Sequence, residues 1–331
     1  MADEQRRRRL DPATAAIRLR VREAVGKFGL AHPLVAVSGG ADSMSLAAAV
    51  QFLARTGALH ASYAVIDHGL QAQSAEVTAL VVERLRAGGC AEVVSRRVRV
   101  GSRGGREAAA REARYAGLRA LRSELGCDAI LVAHTRDDQA ETVLLNLSRG
   151  AGAAGLSGLH VRRGEVIRPL LAVSRAQTVA SCAAQGIPVW HDPMNDDPAF
   201  TRVRIRTRVL PMLERELGPG YAASLARAAG HLAADERYLA ERAAEAASEL
   251  IDRGSEGLSL PVAPLLELPE AIRHRVLRLA MEELGGAPRS AHIDALDALL
   301  APGRGGRRIS LPGAVALREG GTMRLLRRSH P

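Results

Sequence analysis

Short apolar runs alternate with amphipathic stretches through the first two hundred residues. "PLVAVS" (33–38) leads into a helical pattern from Ser43, and "HASYAVID" (60–67) into one over about 74–87. "AEVVSRRV" (91–98) precedes a helix over about 106–125, and "DAILVAH" (128–134) one starting near Asp137. The runs are continuous in Val, Ile and Ala, as in strands covered on both faces, so the pattern predicts an α/β fold: a parallel sheet with helices on both faces. After "WHDPMNDDPAF" (190–200), a loop rich in Pro and Asp, the pattern turns helical through "RVRIRTRVLPMLERELG" and a long alanine-rich stretch from Tyr221. A helical pair over about 270–300 follows, and then "RRISLPGAVALREGGTMRLLRR", two alternating runs around "REGG" that signal a hairpin. The expected domains are 1–217, with 1–30 a helical extension, and 218–331, mostly helical and ending in the small β hairpin.

In parallel sheets, ligands sit beyond the carboxyl ends of the strands. Ser38, Asp67, His68 and His134 all fall at such ends. The loop after the first strand, Ser38-Gly39-Gly40-Ala41-Asp42-Ser43, points free N–H groups and the positive end of a helix at its ligand, with two hydroxyls beside them. It lacks the lysine of the commonest phosphate-gripping loop. Asp42 would repel a polyphosphate unless a cation lay between them, and Mg²⁺ takes oxygens from carboxylate and phosphate together. The loop therefore reads as a cradle for pyrophosphate and its magnesium, with Asp42 the metal ligand. Farther on, Asp138 and Glu141 are three apart on a helix, so both carboxylates share one face. Such a pair in a cleft can bind an ammonium ion or take a proton from it. Asp137 either caps that helix or binds magnesium. His134 is either a structural hydrogen-bonder or a participant.

Composition narrows the partners. The net charge is +10, and all basic residues but Lys27 are arginine. Residues 1–214 and 301–331 are net basic, whereas 215–300 are net acidic. Arginine forks suit phosphate oxygens, although a GC-rich genome would also spell surface basic residues this way. With 2% aromatic residues, base stacking is a poor way to hold a nucleic acid, so phosphates and shape would do it. Arg304, Arg307 and Arg308 sit in a glycine-rich turn ahead of the hairpin, where they could approach phosphates. Cys90, Cys127 and Cys182 are scattered, which argues against a disulfide framework or a zinc knuckle and fits a reducing compartment. No apolar run reaches membrane length and no secretion signal precedes the first helix, so the chain is expected in the cytoplasm.

The loop resembles the SGGxDS signature of the PP-loop ATP pyrophosphatases. "AHTRDDQAETVLLNLSRGAGAAGLSGL" (133–159) resembles the AHxxDDQxETxLLxLxRGxGxxGLxGM segment of the tRNA(Ile)-lysidine synthetases within that superfamily. "EAAAREARY" (107–115) resembles their A-R-x-x-R-Y helix, which implies that Arg111 and Arg114 lie near the phosphates. "IDHGLQ" (66–71) matches a strand end, with Gln71 where Arg or Ser is commoner. "DPMNDDPAFTRVRIRTRVLPML" (192–213) resembles D-x-x-N-x-D-x-x-F-x-R-N-x-I-R-x-x-L-L-P, retaining Arg202 and Arg206 as phosphate or tRNA contacts but carrying Val203 where Asn is usual.

The resemblance implies a PP-loop, adenine-nucleotide α-hydrolase type of fold and a ligase. ATP would adenylate the C2 carbonyl oxygen of the wobble cytidine in a CAU-anticodon isoleucine tRNA; free L-lysine would then displace AMP to give lysidine. ATP contacts are expected at Ser38, Gly39, Gly40, Ala41, Asp42, Ser43, His68, Arg111, Arg114 and His134. Catalytic roles are expected at Asp42, Asp138 and Glu141, the last two holding and deprotonating lysine. The cofactors are ATP and Mg²⁺; the partners are the tRNA and lysine, with no membrane, and a homodimer is a further expectation. Two other readings use some of the same features. A PP-loop tRNA 2-thiolating enzyme would need reactive cysteines, and a non-catalytic RNA-binding module would leave the three carboxylates without a role.

Overall fold

Alternation along β1 (Leu34–Val37) and β2 (Ser62–Asp67) accounts for the first layer of structure. Val35, Val37, Tyr63 and Val65 point into one core, with Met44, Leu46 and Val50 of α2 (Ala41–Arg55) and Ile17 and Val21 of α1 (Pro12–Phe28). Leu34 and Ala64 point into the opposite core, with Tyr115, Leu118 and Leu121 of α4 (Arg106–Glu124). Both faces are dry, which is why these strands read as unbroken apolar runs. The computed structural model describes residues 10–70, 73–101, 105–301 and 306–327. Gln71 and Arg304 lie outside them.

Six strands form the first sheet in the order β3-β2-β1-β4-β6-β5, where β3 is Glu92–Arg97, β4 Ile130–Leu131, β5 Arg162–Arg163 and β6 Val166–Ile167. All neighbouring pairs are parallel except β5 with β6. Helices α3 (Ser74–Ala87), α5 (Arg136–Leu147) and α7 (Arg175–Ala184) complete the covering, with the single-turn α6 (Ala153–Leu156) after α5. The helix expected from Ser43 starts two residues earlier because Gly40 occupies its N-cap.

Beyond the acidic loop, α8 (Thr201–Arg204) runs without a break into a π-helical turn, Ile205–Val209, and then α9 (Leu210–Leu217). Ile205 and Leu210 pack on Ala140 of α5, which fixes this helix against α5. The 30-residue α10 (Tyr221–Leu250) follows.

The chain divides into two compact units, 1–231 and 232–331. The division falls within α10, whereas the boundary expected from sequence, 217/218, falls in the turn before it. In the second unit, α11 (Val262–Glu267), α12 (Glu270–Glu283) and α13 (Ser290–Leu299) enclose an apolar core with a five-stranded antiparallel sheet. The expected hairpin, β10 (Ala314–Glu319) and β11 (Thr322–Arg327), is present but is the middle of that sheet, ordered β7-β8-β11-β10-β9. Its other strands are β7 (Asp252–Arg253), β8 (Gly257–Pro261) and β9 (Arg308–Leu311). Among the described residues no helix is long and apolar enough to cross a membrane.

Candidate functional site

The cleft lies beyond the carboxyl ends of β1, β2 and β4 and has a volume of about 750 Å³, within the range of sites for small molecules and cofactors. Its floor is the turn from β1 into α2. Ser43 Oγ donates to Gly40 O at 3.0 Å and accepts from Ser38 N at 3.1 Å, which closes the turn. The first helical bond is Met44 N to Gly40 O, so the N–H groups of Ala41, Asp42 and Ser43 stand ahead of it at the positive end of the helix. The two glycines do different work. Gly39 has φ +89°, and a Cβ there would come within 2.6 Å of Val81, so the fold itself demands glycine. Gly40 has ordinary φ, and a Cβ would make only loose contact, with Trp190 O at 3.9 Å and Ser38 Oγ at 4.0 Å; its bareness leaves room on the cleft side. Gly39 is the one residue of the loop that does not line the cleft; Ser38, Gly40, Ala41, Asp42 and Ser43 all do.

Three carboxylates converge on one guanidinium. Arg175, at the start of α7, places Nε 3.4 Å from Asp42 Oδ2, Nη2 3.2 Å from Asp138 Oδ1 and Nη1 3.5 Å from Glu141 Oε1. Asp42 Oδ1 also accepts from Thr178 Oγ1. Asp138 serves α5 as well: its Oδ2 accepts from Thr135 N at 2.7 Å and Thr135 Oγ1 at 2.8 Å, in a capping box. Asp137 does not cap its own helix. Its Oδ2 accepts from Arg175 N at 2.9 Å and so caps α7, which fixes Arg175 at its post.

Burial splits the acidities of the three. Burial opposes the Asp138 carboxylate, but Arg175, His134 and the Thr135 hydrogen bonds outweigh it and hold Asp138 below the ordinary range. Burial raises Asp42 against the pull of Arg175 and Thr178. Glu141, with its side chain 3% exposed, is pushed up to about 7 by burial and by the Asp138 charge. Among the described residues its Oε1 has ion pairs with Arg175 and Arg206 but no hydrogen bond. A carboxyl poised near neutral pH suits proton transfer.

The remaining walls are cationic or imidazole. Arg111 and Arg114 of α4 line the cleft and lie over Tyr115, with ring-centroid distances of 5.0 and 5.4 Å. His68 and His134 line it too, and each leaves Nδ1 buried without a hydrogen-bond partner among the described residues. Burial pushes both imidazoles down, with Arg114 adding to the effect on His68 and Arg168 to that on His134. Both are neutral at pH 7. Arg202 and Arg206 reach the cleft from α8 and the π turn; Arg202 Nη2 lies 3.4 Å from Thr142 Oγ1, and Arg206 Nη1 4.0 Å from Glu141 Oε1. Arg204 turns away to the carbonyls of Pro198 and Ala199, at 2.7 and 2.9 Å. Val203 is buried in the cleft wall and offers no amide there. Arg307 and Arg308 are exposed at the start of β9 in the second unit.

Sequence reasoning missed Arg175, Thr178 and Trp190, whose N donates to Gly39 O at 2.9 Å and backs the loop. A signal for the first two existed: Ser174 and Gln177 form an S-x-x-Q capping box that marks a helix start. No cysteine lines the cleft, although Cys182 Sγ donates to Ala41 O of the loop at 3.4 Å from behind it. All three are buried, and burial pushes the thiols of Cys90 and Cys182 up to about 11 and that of Cys127 in the same direction. None is a thiolate at neutral pH.

Comparison with known proteins bears on the same geometry. Residues 13–213 match the PP-loop domain, and residues 260–328 match the TilS substrate binding domain. The tRNA(Ile)-lysidine synthase of Leifsonia xyli is 44% identical over 320 residues, covering 93% of this chain and 96% of that one. That of Salinispora arenicola is 48% identical over 315 residues, covering 92% and 94%. Among solved structures, a U34-tRNA thiolase from Methanococcus maripaludis superposes with TM-score 0.54 at 17% identity, over 66% of this chain and 79% of that one, a likeness of fold.

Proposed function

The chain belongs to the tRNA(Ile)-lysidine synthase family, and on that premise we propose that it joins free L-lysine to C2 of the wobble cytidine in a CAU-anticodon isoleucine tRNA, using ATP. The observation that carries the reading is the set of three carboxylates around Arg175, directly beside the free N–H groups of α2.

In the first step the C2 carbonyl oxygen attacks the α-phosphorus of ATP, the α–β bond breaks, and pyrophosphate leaves. The α2 N-terminus, Arg111 and Arg114 take up the phosphate charge that develops. The neutral imidazoles of His68 and His134 supply hydrogen-bonding nitrogens without adding charge, which suits a nucleotide's polar edges. Asp42 would be the oxygen donor for Mg²⁺, with Asp138 beside it, and the ion would neutralise the polyphosphate and make pyrophosphate a better leaving group. A lysine gripping the γ-phosphate is not needed, because the bond broken lies between α and β.

In the second step the ε-amine of lysine attacks C2, the C2–O bond breaks, and AMP leaves with the former carbonyl oxygen. The ε-ammonium, with an ordinary pKa near 10.4, must lose a proton first. Glu141 is the better of the two expected bases, because its own proton is held up to about pH 7, whereas Asp138 is committed to Thr135 and Arg175. An arriving ammonium exchanges with Arg175 at Glu141, where the ion pair lacks a hydrogen bond. Arg202 and Arg206 then face the tRNA backbone or the adenylate phosphate. The thiolase alternative fares worse: it asks for reactive thiols, and these are buried and protonated.

The test is AMP release with purified chain, ATP and tRNA, with and without lysine. AMP should appear in amounts matching lysine incorporated, with the CAU isoleucine tRNA and not with the CAU elongator methionine tRNA. AMP release indifferent to lysine, or sulfur incorporated into tRNA, would overturn the reading.

A further inference from the structure

The opposite edge of the first sheet carries a cluster that the reaction does not use. His32 precedes β1, His60 precedes β2, and Glu92 opens β3. Strand register brings them together, since Leu34 pairs with Ser62 and Ser62 with Glu92. The backbone then holds the two histidines in place: His60 N donates to Ala31 O at 2.9 Å, and His32 N to Asp128 Oδ2 at 2.9 Å. Both imidazoles present Nε2 to the same oxygen, with His32 and His60 each 3.6 Å from Glu92 Oε2. Their rings are 4.5 Å apart at centroids and inclined by 52°, so the two nitrogens converge without stacking.

We propose that His32, His60 and Glu92 bind a zinc ion, with water completing a tetrahedron on the exposed side. Zinc bonds of about 2.0–2.1 Å to nitrogen and oxygen set tetrahedral edges of about 3.3–3.4 Å, so the two 3.6 Å separations need close by only a few tenths of an ångström. All three donor atoms lie within 4.8 Å of one another. Two imidazoles and a carboxylate suit a borderline cation such as Zn²⁺ better than the hard Mg²⁺ of the cleft, which prefers oxygen. Ser62 Oγ now bridges His32 Nε2, at 2.8 Å, and the Glu92 carboxylate, holding these two donor atoms together where the ion would replace it. His60 is 61% exposed and Glu92 37%, which leaves a path for the ion and its water. Cys127 Sγ lies 3.6 Å from His32 Nε2 but is not among the donor atoms that all lie within 4.8 Å of one another. A bound ion ties together the amino ends of three adjacent strands, the edge away from the cleft, so its effect is on stability and not on turnover.

The test uses the untagged full chain, stripped of metal and titrated with Zn²⁺ in millimolar Mg²⁺, which occupies the oxygen sites. One equivalent should bind. At a hundredfold excess over Kd the thermal midpoint should rise by about 5 °C. His60→Ala and Glu92→Gln should each weaken binding at least tenfold and abolish the thermal shift. Metal-free melting should stay near that of the unaltered chain, and AMP release should be unchanged. Absence of binding at one equivalent would overturn the proposal, as would zinc affinity that neither substitution alters.

Discussion

The two units bury different things. Every buried polar or charged residue among those described lies in the first unit, from Thr14 through Asp67, Glu141 and Arg168 to Ser181. Among the described residues the second unit fully buries only apolar side chains, Leu260, Leu265, Leu277 and Met281 among the deepest, and leaves its ion pairs, from Arg253 with Glu283 to Arg273 with Asp297, partly open to solvent. Buried charge costs folding free energy unless it is fully paired. The first unit therefore bears a larger cost of burying polar groups than the second.

The contrast can be broken at its strongest point. Asp42→Asn keeps shape and the Thr178 contact but removes the anionic oxygen beside the phosphates, so AMP release should fall by about a thousandfold or more with folding intact. Near-normal turnover at ordinary magnesium would mean that Asp42 is a structural residue.

Glu141→Gln sharpens the comparison through pH. The folded chain holds the Glu141 proton up to about pH 7, whereas the ordinary value is 4.5. Between those pH values the unfolded chain has released a proton that the folded chain retains, so stability falls as pH rises across that window and levels off above it. Two and a half units correspond to about 3 kcal/mol at most. Denaturant unfolding at pH 5 and pH 8 should show the unaltered chain losing up to that amount relative to the Gln variant. Equal pH dependence in both proteins would place the burial cost elsewhere.

A smaller effect tests the second unit. Replacing Arg304, Arg307 and Arg308 by Ala should raise the KM for tRNA several-fold, leave the KM for ATP unchanged, and lower the salt slope of tRNA affinity by up to about three units. Unchanged tRNA affinity and salt dependence would confine recognition to the first unit. The smallest effect is expected from removing all three cysteines. The Ala variant should keep its AMP release and lose about 1 kcal/mol of stability per site as small cavities open. A folded but inactive variant would return the thiols to the mechanism.

Much of this was legible before the structure. The expected helix over 74–87 coincides with α3, and the first three strands fall within a residue or two of their predicted spans. Patterns of this kind are local, set by strands buried on both faces and by helix caps. The facing of Asp138 and Glu141 follows from helical spacing in the same way. Arg175 was invisible for the converse reason. It meets Asp42 and Asp138 across 133 and 37 residues, only because Asp137 caps α7 and α7 packs on α2. β7 and β8 escaped notice because one has two residues and the other ends in proline. A two-residue edge strand carries too little alternation to register, and a proline demotes a strand reading.

The π turn at Ile205–Val209 has a consequence for how this region can change over generations. Inserting one residue into a helix rotates everything after it by about 100°. Upstream of the insertion, Arg202 is keyed to the cleft; downstream, Leu210 and Glu214 are keyed to α10, Glu214 accepting from Ala222 N at 2.9 Å. The turn acts as a phase adjuster between two gears. Each half keeps its own angular setting, so selection on the cleft arginines need not disturb the seat of the long helix. Deleting a single residue there would lock both halves to one phase, and one of the two engagements would have to slip.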